Sequence, residues 1–190
     1  MIRSDCHAAR RTAMRTAAGR AQRGFNLVEL LVTVTVLGVL VASGLPEFSK
    51  FVKDMKLGGM ASDLRADMQF ARSESIRRNA RVLVCPRSST TATTCAATVT
   101  ATTWANGWLV CYDVDANGAC DTGSTTDPNP TRVRKPIVSP LVLSGPAATV
   151  TYYATGSANA ASTFTMTGGT TTTRTLVVAP SGSLTSTKTG

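Results

Sequence analysis

The chain is poor in the side chains that most often perform chemistry. It has one histidine, His7, and three glutamates, Glu29, Glu47 and Glu74. His7 lies in the first segment, so no histidine base or histidine metal ligand can operate in the remainder. Charge is also scarce toward the C-terminal end. Residues 86–190 carry only ten charged side chains against 26 threonines, which makes this stretch β-prone and unlike the Arg/Lys-dotted stretch before it. Asp113 and Asp115 are the nearest approach to a catalytic pair, and no nucleophile motif accompanies them. An enzyme is therefore not expected, and neither a catalytic residue nor a cofactor is assigned.

The basic excess is unevenly placed. Of the net charge of +9, residues 1–24 contribute +5 through Arg3, Arg10, Arg11, Arg15, Arg20 and Arg23 against Asp5. Residues 25–190 are only mildly basic. A nucleic-acid argument from total charge therefore depends on whether the first 24 residues belong to the working protein.

Phe25 to Leu45 is a run of 21 residues dominated by Leu and Val. As a helix it would measure about 32 Å, close to the hydrocarbon thickness of a bilayer. The arginines before it keep the N-terminus cytoplasmic and send the C-terminal body across; Lys50, Lys53 and Lys56 weaken that asymmetry without reversing it. Val41-Ala42-Ser43 has the look of a signal-peptidase site, and a plain signal anchor is the other ordinary reading. Neither accounts for Glu29, a carboxylate inside an apolar run where a charge is costly.

Gly24-Phe25-Asn26-Leu27-Val28-Glu29-Leu30 does account for it. This stretch resembles the type III signal of type IV pilins and pseudopilins: a glycine, an aromatic, an acid at the fifth residue of the mature chain, then an apolar helix. Pro46 also fits the pattern. The resemblance implies cleavage between Gly24 and Phe25 by a prepilin peptidase, N-methylation of Phe25, and retention of the helix. It implies a single-pass inner-membrane subunit with its body in the periplasm, later packed in a pilus or pseudopilus against other pilin subunits. Glu29 is then expected to pair with the α-amine of a neighbour's Phe25 and fix axial register. Pro46, with Gly44, is expected to kink or locally open the helix.

The organisation expected is a leader over 1–24, a membrane or filament-core helix over 25–45, an amphipathic stem over 46–80 and a periplasmic β domain over 81–190. In the stem, Phe48, Phe51, Val52, Met55, Met60, Leu64, Met68, Ala71 and Ser75 recur at three- and four-residue steps, as a face laid on a globular body would. Gly58-Gly59 weakens this helix and Asn79 is a reasonable stop. Arg72, Arg77, Arg78, Arg81 and Arg87 read as a solvated face, partly paired with Asp67 and Glu74. Strands are expected over Arg81–Cys85, Trp104–Asp113, Val133–Leu143 (interrupted by proline), Val150–Ala154, Thr163–Thr167 and Arg174–Ala179. The fold class is α+β: one long N-terminal helix on a small antiparallel β domain. Arg72-Ser73-Glu74, Val82-Leu83-Val84-Cys85-Pro86, Trp104, Gly107-Trp108 and Asp113 resemble the GspH/FimT group of minor pseudopilins and minor pilins.

Cys85, Cys95, Cys111 and Cys120 are an even set in a domain expected outside the cytoplasm, and read as disulfides. Three pairings exist; Cys85–Cys95 with Cys111–Cys120 is favoured because each closes a local loop. A four-thiolate zinc site would ask for a Cys-x-x-Cys knuckle, which is absent. Cys6 falls in the leader. Asp113-Val-Asp115-Ala-Asn117-Gly118, with Asp121, matches much of an EF-hand loop, but Ser124 takes the place of its bidentate glutamate. An Asn-Gly hairpin turn is the favoured reading, with a weak Ca²⁺ site second and no metal assigned.

The function expected is a non-enzymatic structural subunit of a type II secretion pseudopilus or a type IV pilus. The alternative is a pilus-tip subunit that binds DNA. In the FimT branch a Gly-Arg-x-Arg motif is associated with that activity. The matching stretch here is Gly182-Ser183-Leu184-Thr185, without either arginine. Arg132-Val133-Arg134-Lys135 is the substitute patch the sequence offers.

Overall fold

The structure, a computed structural model, describes residues 24–123 and 127–190. The leader before Gly24, with Cys6 and His7, lies outside the described residues, as does Ser124. The chain divides into two compact units, one ending at Ser43 and one spanning Gly44–Gly190. Helix α1 (Leu27–Arg78) has residues in both, and its helical assignment continues through Pro46 without a break.

In the first unit the helix is exposed at every residue from Phe25 to Ala42. Asn26 stands immediately before the first helical residue, and its Oδ1 accepts from the Val28 amide at 3.4 Å. Glu29 occupies the first turn, where a negative charge is favoured by the free amide groups of the helix end. The hydroxyls of Thr33 and Thr35 donate to the carbonyls of Leu30 and Val32 at 2.9 and 2.8 Å. Both threonine hydroxyls in the apolar run are thereby satisfied inside the helix, and neither needs water.

In the second unit the helix buries Leu57, Met60, Ala61, Leu64, Met68, Ala71 and Ser75, spaced at three and four residues. This face is shorter than expected. Phe48, Phe51 and Met55 are 60–66% exposed, although Lys188 meets the neighbouring Asp54 at 2.9 Å. Leu57, not in the expected set, is the first fully buried position. The helix stops at Asn79, whose φ of 52° is left-handed. The amides of Asn79 and Ala80 return to the carbonyls of Ile76 and Ser75, a Schellman closure with asparagine in place of glycine. Gly58 leaves room for the Arg174 guanidinium, whereas Gly59 faces open space on the exposed side. Gly59→Ala is therefore expected to stabilise the protein by about 0.4–1 kcal/mol, read from thermal unfolding, while Gly58→Ala gains less because its new methyl crowds Arg174.

The β domain comprises β1 (Arg81–Pro86), β2 (Trp108–Asp113), β3 (Arg132–Val133), β4 (Val142–Ser144), β5 (Val150–Tyr152), β6 (Ser162–Thr167), β7 (Thr173–Val178) and β8 (Leu184–Thr189). They form two antiparallel sheets, ordered β3-β2-β1-β5 and β4-β6-β7-β8. The architecture is α+β, as expected. Three differences in the strands have physical causes. Trp104 lies in a short 3-10 turn (Thr103–Asn106), because its indole fills the core against Phe164, edge to face at 4.8 Å. Of the Val133–Leu143 stretch only the ends are strand, Val133 in β3 and Val142–Leu143 in β4, which belong to different sheets; Pro136 and Pro140 lie in the segment between. Strand β8 has no counterpart among the expected strands: Leu-Thr-Ser-Thr-Lys-Thr alternates no apolar residues, and it holds its place by pairing with β7 along an edge.

Strands β1 and β2 are buried on both faces. Val82, Val84, Trp108, Val110 and Tyr112 join the helix residues and Phe164, Met166, Leu176 and Val178 in one core. The alternate residues Leu83, Cys85, Leu109 and Cys111 are buried on the other face. There the pairing is Cys85–Cys95 and Cys111–Cys120, the favoured pair of local closures. The Cys95 and Cys120 sulfurs pack 3.3 Å apart, a contact between two disulfides rather than a hydrogen bond. Each closure restricts the unfolded chain by about 2–3 kcal/mol, and together they hold the loops after β1 and β2 against this face of the sheet.

Candidate functional site

Two regions bear on function. The first is the N-terminal segment of the first unit. Phe25 is 80% exposed, Glu29 is exposed, and so is every apolar side chain from Leu27 to Val41. This helix is long and apolar enough to cross a membrane. It presents a continuous Leu/Val surface that nothing within its own unit covers, with a single carboxylate near one end.

The second region is the seam between the stem and the first sheet. Asp67 is fully buried. Its Oδ2 accepts from Trp108 Nε1 at 2.9 Å and from Arg134 Nε at 2.6 Å; its Oδ1 accepts from Arg132 at 2.7 Å and from Arg134 Nη2 at 3.1 Å. Burial alone would push this carboxyl up, but the bonds from Arg134, Arg132 and Trp108 outweigh it and hold it below the ordinary aspartate range. A carboxylate engaged by four donors is a clamp, not a proton acceptor. The expected partners were the arginines near the helix end; the observed ones lie 65 and 67 residues away, on and beside β3.

This clamp also engages both arginines of the substitute DNA patch, leaving Lys135 outside it. Arg132 and Arg134 spend their charge on Asp67, Arg134 lies a further 3.5 Å from Asp63, and Arg132 stacks over Phe70 at 3.9 Å. The stretch Gly182–Thr185 is taken up by the turn into β8. Gly182 has φ +77° and lies so close to the Gly156 carbonyl that no side chain fits. The nearest cation, Arg72, donates to the Ser181 carbonyl at 3.3 Å. DNA binding is not supported by either stretch.

The arginines at the helix end are largely paired. Glu74 accepts from Arg77 and Arg78, and Arg78 continues to Asp127 through two bonds of 2.6 and 2.8 Å while stacking over Tyr112 at 3.7 Å. Tyr112 donates to Asp127 at 3.0 Å. Arg87 is buried and donates to the carbonyls of Ala92 and Arg134. Hydrogen bonds from Arg77 and Arg78 bring Glu74 to about 2, and those from Arg78 and Tyr112 bring Asp127 to about 2. Both are lowered, so their stabilisation is complete above the ordinary carboxylate range and is lost as pH falls toward 2. The thermal midpoint is expected to be flat from neutral pH down to about 5 and to fall below about 4. In Arg78→Gln that acid limb should be shallower.

The Asp113–Asp121 loop is not the hairpin expected. Strand β2 ends at Asp113, and the next strand to pair with it is β3, at Arg132. The described residues between them hold no strand and are tied back by Cys120 and by Asn129, whose side chain bonds both Tyr112 and Asp121.

Residues 60–182 match the family model described as Type II transport protein GspH, and residues 19–45 match the prokaryotic N-terminal methylation motif. Among solved structures, the type IV minor pilin FimU of Pseudomonas aeruginosa (strain PAO1) is similar in two crystal forms. In space group P21 it is 20% identical over 71% of this chain and 90% of that one, with a TM-score of 0.50. In space group P65 it is 19% identical over 68% and 91%, with a TM-score of 0.48. At these identities the likeness is one of fold. No curated protein matches the chain.

Proposed function

The chain belongs to the GspH family of minor pseudopilins and minor pilins, and from that premise we propose that it is a non-enzymatic filament subunit. It is cleaved between Gly24 and Phe25 by a prepilin peptidase, methylated on the new amine, held in the inner membrane by the retained helix, and incorporated into a type II secretion pseudopilus or a type IV pilus. The observation that carries this reading is the methylation motif matched over 19–45, together with the exposure of every apolar side chain of α1 from Leu27 to Val41. Such a surface is at rest only in lipid or against other helices. The arginines of the leader orient the chain, placing the β domain in the periplasm, where its two disulfides persist. Specific partner subunits would meet the exposed apolar residues of α1, including Phe48, Phe51 and Met55.

Intact mass of the chain extracted from its native membrane tests the proposal. A mature chain beginning at Phe25 with one added methyl group is expected. A chain beginning at Gly44 would overturn it in favour of a secreted domain.

A further inference from the structure

The acidic loop after β2 takes no part in cleavage, methylation or helix packing. Asp113, Asp115 and Asp121 each bring a carboxylate oxygen within 4.8 Å of the other two. Two ties produce this: the Asp121 amide donates to the Tyr112 carbonyl at 3.0 Å, and the Cys111–Cys120 bridge closes the loop. Asp121 is thereby returned to the end of β2, where Asp113 sits. Three anionic groups so close repel one another.

A second observation is independent of the clustering. Asp113 is 1% exposed, and its Oδ1 is buried without a hydrogen-bond partner, while its Oδ2 accepts from the Gly118 amide at 3.1 Å. A buried carboxylate oxygen without a partner is costly. The obvious counter-charge is at hand but turned away. Arg81 is the cross-strand partner of Asp113, yet it donates to the Ala116 carbonyl and lies over the Tyr153 ring. A cation held by the three carboxylates would satisfy the orphaned oxygen and remove the repulsion together.

The geometry points to a calcium site formed by Asp113, Asp115 and Asp121. The donors are all hard oxygens, with no imidazole or free thiolate, which selects calcium or magnesium over zinc or copper. Asp115 is exposed and Asp121 only partly covered, so water completes the shell, and the yielding geometry of such a shell favours calcium over magnesium. Asn117 braces the loop instead of ligating: its Oδ1 accepts from the Ala119 amide at 2.7 Å. With three carboxylates and no bidentate glutamate, the affinity falls in the range of extracellular modules, about 0.1–1 mM.

The test uses the full-length, oxidised chain in detergent, with calcium binding measured by titration calorimetry and by the thermal midpoint. One site with a Kd of about 0.1–1 mM is expected, with magnesium at least tenfold weaker. Asp115→Asn, a change at an exposed side chain, should weaken calcium at least tenfold and leave the midpoint in EGTA unchanged or higher. Asp113→Asn should abolish binding. Calcium binding unaltered in both variants would overturn the proposal, as would absence of binding at about 10 mM, ten times the upper limit expected. A midpoint shift reproduced by magnesium or by sodium chloride at equal ionic strength would mean general screening and would also overturn it.

Discussion

Asp67→Ala is expected to cost the folded protein about 3 kcal/mol, and to lower the thermal midpoint by about 6–12 °C. The substitution leaves two guanidinium groups and the Trp108 indole N–H facing a space that no longer accepts from them. Removing one partner of a buried charge cluster costs roughly 3–5 kcal/mol. The lower end applies because the Arg132 and Arg134 side chains remain 38% and 32% exposed, so water recovers part of their solvation. Glu74→Ala provides the contrast. Its side chain is 12% exposed rather than fully buried, and its partner Arg77 is 61% exposed and readily rehydrated, so a smaller loss, of about 1 kcal/mol, is expected. Unfolding of the full chain in detergent measures both, and a smaller loss for Asp67→Ala than for Glu74→Ala would contradict the clamp. Replacing Asp67, Arg132 and Arg134 together by apolar residues of similar volume should return most of the loss, since an unpaired charge is costlier than no charge.

Glu29→Leu should reduce incorporation into filaments by two orders of magnitude or more, while membrane insertion persists. Two physical roles for Glu29 predict different sizes of effect. As an acid in the first turn of α1 it contributes about 0.3–1 kcal/mol, less than a tenfold change. As the partner of a neighbouring subunit's α-amine within a helix bundle, its removal strands a charge in a low-dielectric setting and costs about 3 kcal/mol or more. Quantifying the chain in sheared filaments against the membrane fraction separates the two. A loss below tenfold would leave only the local role.

How far these features can be read from the sequence depends on the separation of the residues involved. The apolar run, the Asn79 stop, most strands and the disulfide pairing are local signals, set by contiguous runs and short spacings. Asp67 is opaque from sequence because its partners are 65 and 67 residues away and nothing local marks them. Asn26 as a cap, three residues before Glu29, is a local signal too, but the glycine and aromatic before it mark the same boundary more loudly. The exposure of Phe48, Phe51 and Met55 cannot be inferred from their periodicity, since spacing shows which residues share a face and not how far along the helix that face is covered. Strand β8 escapes notice because an edge strand of Thr, Ser and Lys is defined by its neighbour rather than by its own pattern.

The bonds from the C-terminal hairpin to the stem impose a schedule on the chain. Lys188 meets Asp54 across 134 positions, and Arg72 meets Ser181 across 109. At about 5–20 residues per second of synthesis, the stem waits on the order of ten seconds between its own emergence and the arrival of these partners. Throughout that delay Asp54 and Arg72 stand without these two bonds. The β domain is thus fully tied to its stem only once Lys188 has been made.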